Sequence, residues 1–334
     1  MDQLLKRLSE AFGVSGCENE VRTIIQQEAE PYADHIHIDN IGNLIAFKKG
    51  SAPKKHIMLA AHMDEVGLIV TQTEDNGTLR FQCIGGIDPR VLLAKRVVIG
   101  KDKIPGIIGV KAIHLQSQSE RGNTLPLTSL YIDTGADSKD KTGVSLGDAV
   151  AFDTQCQKFG DGCVKGKALD DRLGCYVLLQ LMKNSYQDDI SFCFTVQEEV
   201  GLRGAYVAAY TVRPDIALVC ESTTCADVPG VEETAKVTLF RKGPAVSFMD
   251  AASIGSKKLV ADILDTAEQN SIPHQIKMGT SGGNDAGAIA TSLEGVPTVV
   301  VSIPTRYIHS PVSVASMEDI EHTIQLMDAY LRRN

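Results

Sequence analysis

The sequence predicts an α/β protein: a mixed, largely parallel sheet with helices on both faces, interrupted by a small inserted all-β module. Three observations carry this expectation. From residue 169 to the C-terminus, apolar strand-like runs alternate with segments of helical periodicity, the pattern of a parallel sheet covered by helices. The first 68 residues have the same α/β texture. Between residues 69 and 164 the pattern changes to short alternating runs separated by Gly, Asp and Pro, with no long helical stretch. The expected organisation is one discontinuous domain, 1–68 with 165–334, and an insertion at 69–164. A length of 334 residues accommodates two domains, each with its own core.

The elements follow in order. MDQLLKRLSEAF places Leu4, Leu5, Leu8 and Phe12 on one helical face, an amphipathic helix rather than the apolar core of a secretory signal. Ser15 and Glu18 have capping-box spacing and predict a helix running to about Glu30, before Pro31. HIHID, NLIAF and HIMLAA (56–61) read as strands. TLRFQCI, RVVIG, IPGIIGV, SLYIDTG and AVAFDTQ are the short strands of the insertion. A helix follows over 169–183, then the strand ISFCFTV, a helix over 203–210, the strand IALVC, a helix over 255–270, the strand PTVVVSI and a last helix over 317–332.

Composition narrows the class. A net charge of -9 argues against a nucleic-acid surface, which needs a basic stripe. No apolar run approaches the roughly 18–20 residues of a membrane helix, so no membrane partner is expected and a cytoplasmic location is the default. The eight cysteines are scattered, without a C-x-x-C pair, and several sit in apolar runs; they read as reduced core residues. Gly166-Lys167 is followed by Ala168 and lacks the earlier glycine of a phosphate-binding loop, which removes nucleotide binding.

Ligands of α/β sheets bind beyond the carboxyl ends of the strands. HIMLAA is followed by His62 and Asp64, ISFCFTVQ by Glu198 and Glu199, IALVC by Glu221, and PTVVVSI leads to His309; Asp170 opens the helix after the insertion. A lone histidine in a loop or a pair of glutamates on a solvated face is commonplace. Several strand ends of one sheet presenting these types together is not. Two imidazoles and several carboxylates, with no thiol, suit Zn²⁺, Co²⁺ or Mn²⁺ in a hydrolytic site. In a two-metal arrangement Asp170 bridges both ions, His62 and Glu221 complete one site, and Glu199 and His309 the other. Three carboxylates and a bridging hydroxide balance the charge of two divalent ions. Glu198 remains as general base, and Asp64 is placed to accept the second N–H of His62.

The segments AHMDEVG (61–67), GKALDDRLG (166–174), VQEEVGLRGA (196–205), ESTTCADVPG (221–230), SGGNDAGAI (281–289) and RYIHSP (306–311) resemble the M42 family of metallo-aminopeptidases, one of the co-catalytic zinc peptidases, over essentially the whole chain. The resemblance implies hydrolysis of N-terminal residues from short peptides, metal ligands at His62, Asp170, Glu199, Glu221 and His309, and Glu198 as base. It further implies a cis peptide at Asp170–Asp171, a PDZ-like dimerisation module as the insertion, and a homo-oligomer, a tetrahedral dodecamer built from dimers. Glu221 stands where many relatives carry Asp, and Asn284 where many carry Thr. Asp285 is a candidate for the substrate's amine, with a turn aspartate as the alternative.

Other classes fit the sequence less well. A deacylase or carboxypeptidase would share the metal site, although such enzymes tend to insert their extra domain later in the chain. A cellulase needs a sugar cleft lined by aromatics, and this chain has 5% aromatics and no Trp. A non-catalytic peptide binder would have lost a ligand or the base, yet every expected position holds a competent residue.

Overall fold

The structure is a computed structural model that describes residues 2–333, without the side chains of residues 119 and 120. The first helix, Gln3–Glu10, starts where the Asp2 side chain accepts from the Leu4 and Leu5 amides, and it buries Leu4, Leu5 and Leu8. The second runs Asn19–Ala29, but the expected capping box does not form. Ser15 Oγ donates to Asp64 Oδ2 at 2.6 Å, and the Glu18 carboxylate accepts from the Gly16 and Gln197 amides at 2.7 and 3.3 Å. Ser15 is drawn to a tertiary partner, and Glu18 to the neighbouring Gly16 amide and the distant Gln197 amide, in place of the reciprocal cap.

The large sheet has eleven strands. Its centre is parallel, in the order Asp189–Thr195, His56–His62, Ile216–Thr224, Thr298–Arg306. These are the long apolar runs of the sequence, and they are buried along almost their whole length, as strands covered on both faces must be. The flanks are antiparallel: Leu44–Lys48 and His35–Ile38 on one side, Ser313–Ser316, Cys163–Gly166 and Gln157–Phe159 on the other, with Ala245–Ser247 against Thr298–Arg306. The sheet is therefore mixed; its parallel pairing is limited to the four central strands and the short pair Ala245–Ser247 with Gln275–Ile276 rather than most of the sheet. Ala245–Ser247, Gln275–Ile276 and Ser313–Ser316 have no counterpart in the sequence reading because two to four residues carry too little periodicity to register.

Helices cover both faces. Gln3–Glu10, Asn19–Ala29, Leu169–Leu181, Lys257–Gln269 and Met317–Leu331 pack into the larger core; Arg203–Val212 and Asp285–Ala290 cover the other face. Leu169–Leu181 is buried at every position except Gln180, which is why its sequence shows little amphipathic contrast.

The insertion closes into a six-stranded antiparallel barrel with its own core of Leu68, Val70, Leu79, Phe81, Val97, Ile99, Ile108, Ile132, Val150 and Phe152. Its first strand is Gly67–Thr73 and its last Ala149–Phe152. The expected insertion extends to residue 164, but the next two strands, Gln157–Phe159 and Cys163–Gly166, pair with the large sheet instead. Their short alternating pattern resembles that of the barrel strands; only the pairing partner distinguishes them.

A buried ion cluster joins the chain segments around the two ends of the insertion. Glu65 accepts from Lys167 Nζ at 2.6 Å and from the Gly13 amide at 3.1 Å, and Arg172 reaches the carbonyls of Met63 and Leu8 at 2.7 and 2.5 Å. All three side chains are at most 4% exposed. Glu65→Ala would strand two buried cations, so a loss of about 3–5 kcal/mol in unfolding free energy is expected, measurable by urea denaturation. All eight cysteines are free, six of them buried. No helix among the described residues is long and apolar enough to cross a membrane.

Candidate metal centre

The four parallel strands end at one edge, and the sequence-predicted residues meet there. His62 closes its strand, Glu221 lies near the end of Ile216–Thr224, and Glu198 and Glu199 follow Asp189–Thr195. His309 follows Thr298–Arg306, and Asp170 arrives from the adjacent edge after Cys163–Gly166. His62 Nε2 stands 3.6 Å from Asp170 Oδ1 and 3.4 Å from Glu221 Oε1. His309 Nε2 stands 3.5 Å from Asp170 Oδ2 and 3.4 Å from Glu199 Oε2. Asp170 thus offers one oxygen to each imidazole.

These separations are long for hydrogen bonds. They suit the edge of a tetrahedron around a cation, since ligands bonded at roughly 2.0–2.1 Å lie roughly 3.3–3.4 Å apart. Asp170 Oδ1 and Glu221 Oε2 are buried without a hydrogen-bond partner, which is costly unless something else occupies them. The donor set, imidazole nitrogen with carboxylate oxygen and no thiol, fits a hydrolytic divalent metal. Asp170, Glu199 and His309 form one compact triad, His62, Asp171 and Glu221 a second, and His62, Glu198 and Glu199 a third. The sequence reading missed Asp171. Its carboxylate is already engaged, accepting from the His62 amide at 3.3 Å and the Gly174 amide at 3.0 Å. A side chain at Gly174 would put Cβ 2.3 Å from Asp171 Oδ2, so the glycine of LDDRLG is required by this approach. The Asp170–Asp171 peptide is cis, as the resemblance implied.

Each histidine is held by its other nitrogen. His309 Nδ1 donates to the Gly86 carbonyl at 2.9 Å, a residue of the inserted barrel that the sequence reading did not single out. His62 Nδ1 lies 3.1 Å from the Asp64 carbonyl and 3.4 Å from Asp64 Oδ1. The nearer acceptor is the main chain, not the carboxylate expected from sequence. The Asp64 carboxylate, fully buried, has further work: it accepts from the Glu198 and Glu199 amides at 3.0 and 3.2 Å and so fixes the turn that presents both glutamates. Non-glycine residues with positive φ flank the ligands, Ala168, Gln197 and His309 among them, so backbone strain gathers at this edge.

Asp285 is placed differently from the substrate role considered for it. It is buried beneath the cavity floor, its Oδ2 accepting from Thr195 Oγ1 at 2.5 Å, and it is not among the cavity-lining residues. It begins the helix Asp285–Ala290; Oδ2 is bonded to Thr195, while Oδ1 is buried without a hydrogen-bond partner.

The electrostatics show a cluster short of positive charge. Burial pushes Glu198 up to about 11, with Glu221, Asp285 and Glu199 reinforcing it. Burial likewise lifts Glu199 to about 7 and Glu221 to about 8. For His62, burial favours the neutral form, but the surrounding carboxylates, Glu221 foremost, outweigh it and the pKa rises. The same balance, with Asp170 and Glu199 as the acids, takes His309 to about 9. Burial would also raise Asp170, yet the imidazoles of His309 and His62 hold it well below the usual carboxylate range. Protons offset the excess of carboxylate here, and such a charge-deficient cluster suits a cation site.

The site opens into a cavity of about 620 Å³ lined by His62, Asp170, Glu198, Glu199, Glu221 and His309 together with residues 222–224, 277 and 281–284. That volume lies within the usual range for small-ligand sites.

Residues 42–326 match the family described as M42 glutamyl aminopeptidase. A putative aminopeptidase of Acetivibrio thermocellus is 39% identical over 98% of this chain and 97% of its own. A lysyl aminopeptidase of Pyrococcus furiosus is 33% identical over 98% and 96%. Among solved structures, the TET aminopeptidase from a marine-sediment Thaumarchaeota archaeon superposes with a TM-score of 0.96 at 37% identity, over 99% of this chain and 95% of that one. The TET1 peptidase of Pyrococcus horikoshii, described as able to assemble into a tetrahedron or a large octahedral shell, gives 0.88 at 33% over 99% of both chains. With a family match over most of its length and relatives of this closeness, the chain belongs to the M42 family of aminopeptidases and is a peptide hydrolase.

Proposed function

We propose that the protein is a dinuclear-metal aminopeptidase that removes N-terminal residues from short peptides. His62, Asp170 and Glu221 would hold one divalent ion, and Asp170, Glu199 and His309 the other, with Zn²⁺, Co²⁺ or Mn²⁺ as the metal. The observation that carries this reading is the Asp170 carboxylate between two imidazoles, 3.6 Å from His62 Nε2 by one oxygen and 3.5 Å from His309 Nε2 by the other. When bound, such ions lower the pKa of water and polarise a scissile carbonyl. The chain's own contribution is proton handling and placement. Glu198 lines the cavity, its carboxylate oxygen 4.0 Å from His62 Nε2, and its amide is anchored to Asp64. It would accept the proton of the attacking water and deliver it to the departing amine. Relatives described as aminopeptidases support an aminopeptidase over a deacylase.

The test is an aminoacyl-p-nitroanilide panel run beside N-acyl amino acids, after dialysis against each metal in turn. Release from the first set alone is expected; turnover of the N-acyl set alone would replace this reading with a deacylase. His309→Ala should bind fewer than two metal equivalents by elemental analysis, because Asp170 and Glu199 alone make a poor site; two full equivalents would contradict the ligand assignment.

The same reading makes the protein a homo-oligomer, a closed dodecamer with the barrel as a PDZ-like dimerisation module. Support comes from the assemblies described for the TET1 neighbour. Light scattering on the purified protein decides it: a monomer mass would remove the assembly. The buried free thiols fit the reducing cytoplasm expected from sequence.

A further inference from the structure

The walls of the cavity carry four carboxylates, Asp170, Glu198, Glu199 and Glu221, and one permanent cation, Lys277. Lys277 is half-buried just past the strand Gln275–Ile276, with its amide donating to the Val246 carbonyl at 3.0 Å. Its ammonium has no carboxylate partner within ion-pair distance among the described residues. It is therefore not spent on neutralising the acids of the cavity, which the proposed metal pair would balance. Beside it lies the turn 281–284. Gly282 has φ +77, and a Cβ on Gly283 would meet the Ala252 side chain at 2.7 Å, so both positions favour the glycines that leave the main chain bare. The amides of Ser281, Gly282 and Gly283 donate to no protein acceptor among the described residues. One ammonium and a stretch of unengaged donors lining the same cavity form a surface for an anion.

We propose that Lys277, with the turn 281–283, is a subsite for a carboxylate of the substrate. This rests on the aminopeptidase reading, under which the anions available are the side chain of an acidic N-terminal residue and the free C-terminus of a short peptide. Both present the same group. A lysyl preference, of the kind named for the Pyrococcus furiosus relative, would instead need an acceptor on this wall.

The experiment compares metal-reconstituted wild type, Lys277→Met and Lys277→Arg on two matched pairs: Glu- against Gln-p-nitroanilide, and Leu-Gly against Leu-Gly-amide. Lys277→Met should lower kcat/KM roughly 10- to 100-fold for the carboxylate-bearing member of one pair, the value of a charge-assisted hydrogen bond, leave its neutral counterpart nearly unchanged, and recover in part as Lys277→Arg. A selective loss on Glu-p-nitroanilide assigns the subsite to the N-terminal side chain, and one on Leu-Gly to the C-terminus. If the members of both pairs fall together or hold together, the inference is overturned while the aminopeptidase reading stands. A wild type inactive towards all four overturns that reading, and this inference with it.

Discussion

Glu198→Gln should keep the fold and both metal equivalents but lose roughly 10²- to 10⁴-fold in kcat, the usual contribution of a positioned proton-transfer group. The substitution keeps size and shape and removes only the ability to take up a proton. Glu198 is bound to the rest of the site through its amide, which donates to Asp64 at 3.0 Å, and that bond survives the change. Its carboxylate makes no hydrogen bond to a described residue, so no buried partner is stranded. Stopped assays with the metal content measured on the same samples separate the two effects. A variant with near-normal kcat would remove Glu198 as base, and one with reduced metal would make it a ligand.

The second large effect is on stability. The metal-free protein should melt at progressively lower temperature as pH rises from about 6 to about 9, while the metal-loaded protein should not. Glu199 and Glu221 are raised by burial to about 7 and about 8 when folded, so their protonated forms belong to the stable state, and ionising them as pH climbs withdraws stability. His309, raised to about 9 against burial by Asp170 and Glu199, contributes stability that is full below its unfolded pKa and lost as pH passes through the folded one. The two kinds of group act in the same direction, since each is a proton offsetting the same excess of carboxylate. Divalent metal replaces those protons. At a hundredfold excess over the dissociation constant it adds about 2.7 kcal/mol, with the larger gain in melting temperature at the alkaline end. Calorimetry with and without a chelator measures both. A metal-free melting curve that is flat or rises over this range, with no response to metal, would mean that these side chains do not form a cation site.

Much of the site was legible before any fold was known. His62, Glu199, Glu221 and His309 follow long apolar strands, and such runs identify themselves by length and β-branched content. The rule that parallel sheets present ligands at their carboxyl ends then groups the polar residues beyond them. Asp285 was legible as a residue but not as a role: an acidic side chain in a glycine-rich turn looks alike whether it faces the cavity or, as here, bonds Thr195 beneath it. Ser15 and Glu18 matched a capping rule that the fold does not use, because Asp64 takes the Ser15 hydroxyl and Glu18 accepts from the Gly16 and Gln197 amides.

The sequence by itself determined the class of the protein, its interrupted α/β order, and the residue types that meet at the strand ends. Periodicity and burial are properties of consecutive residues and survive in the linear chain. Only the tertiary structure decided which partner each short strand takes, that Gly86 of the barrel holds His309, and that Lys277 faces the cavity apart from the acids. Those facts depend on contacts between segments tens to hundreds of residues apart. Such contacts are set by the closure of the whole core, and no stretch of sequence short enough to show a pattern contains them.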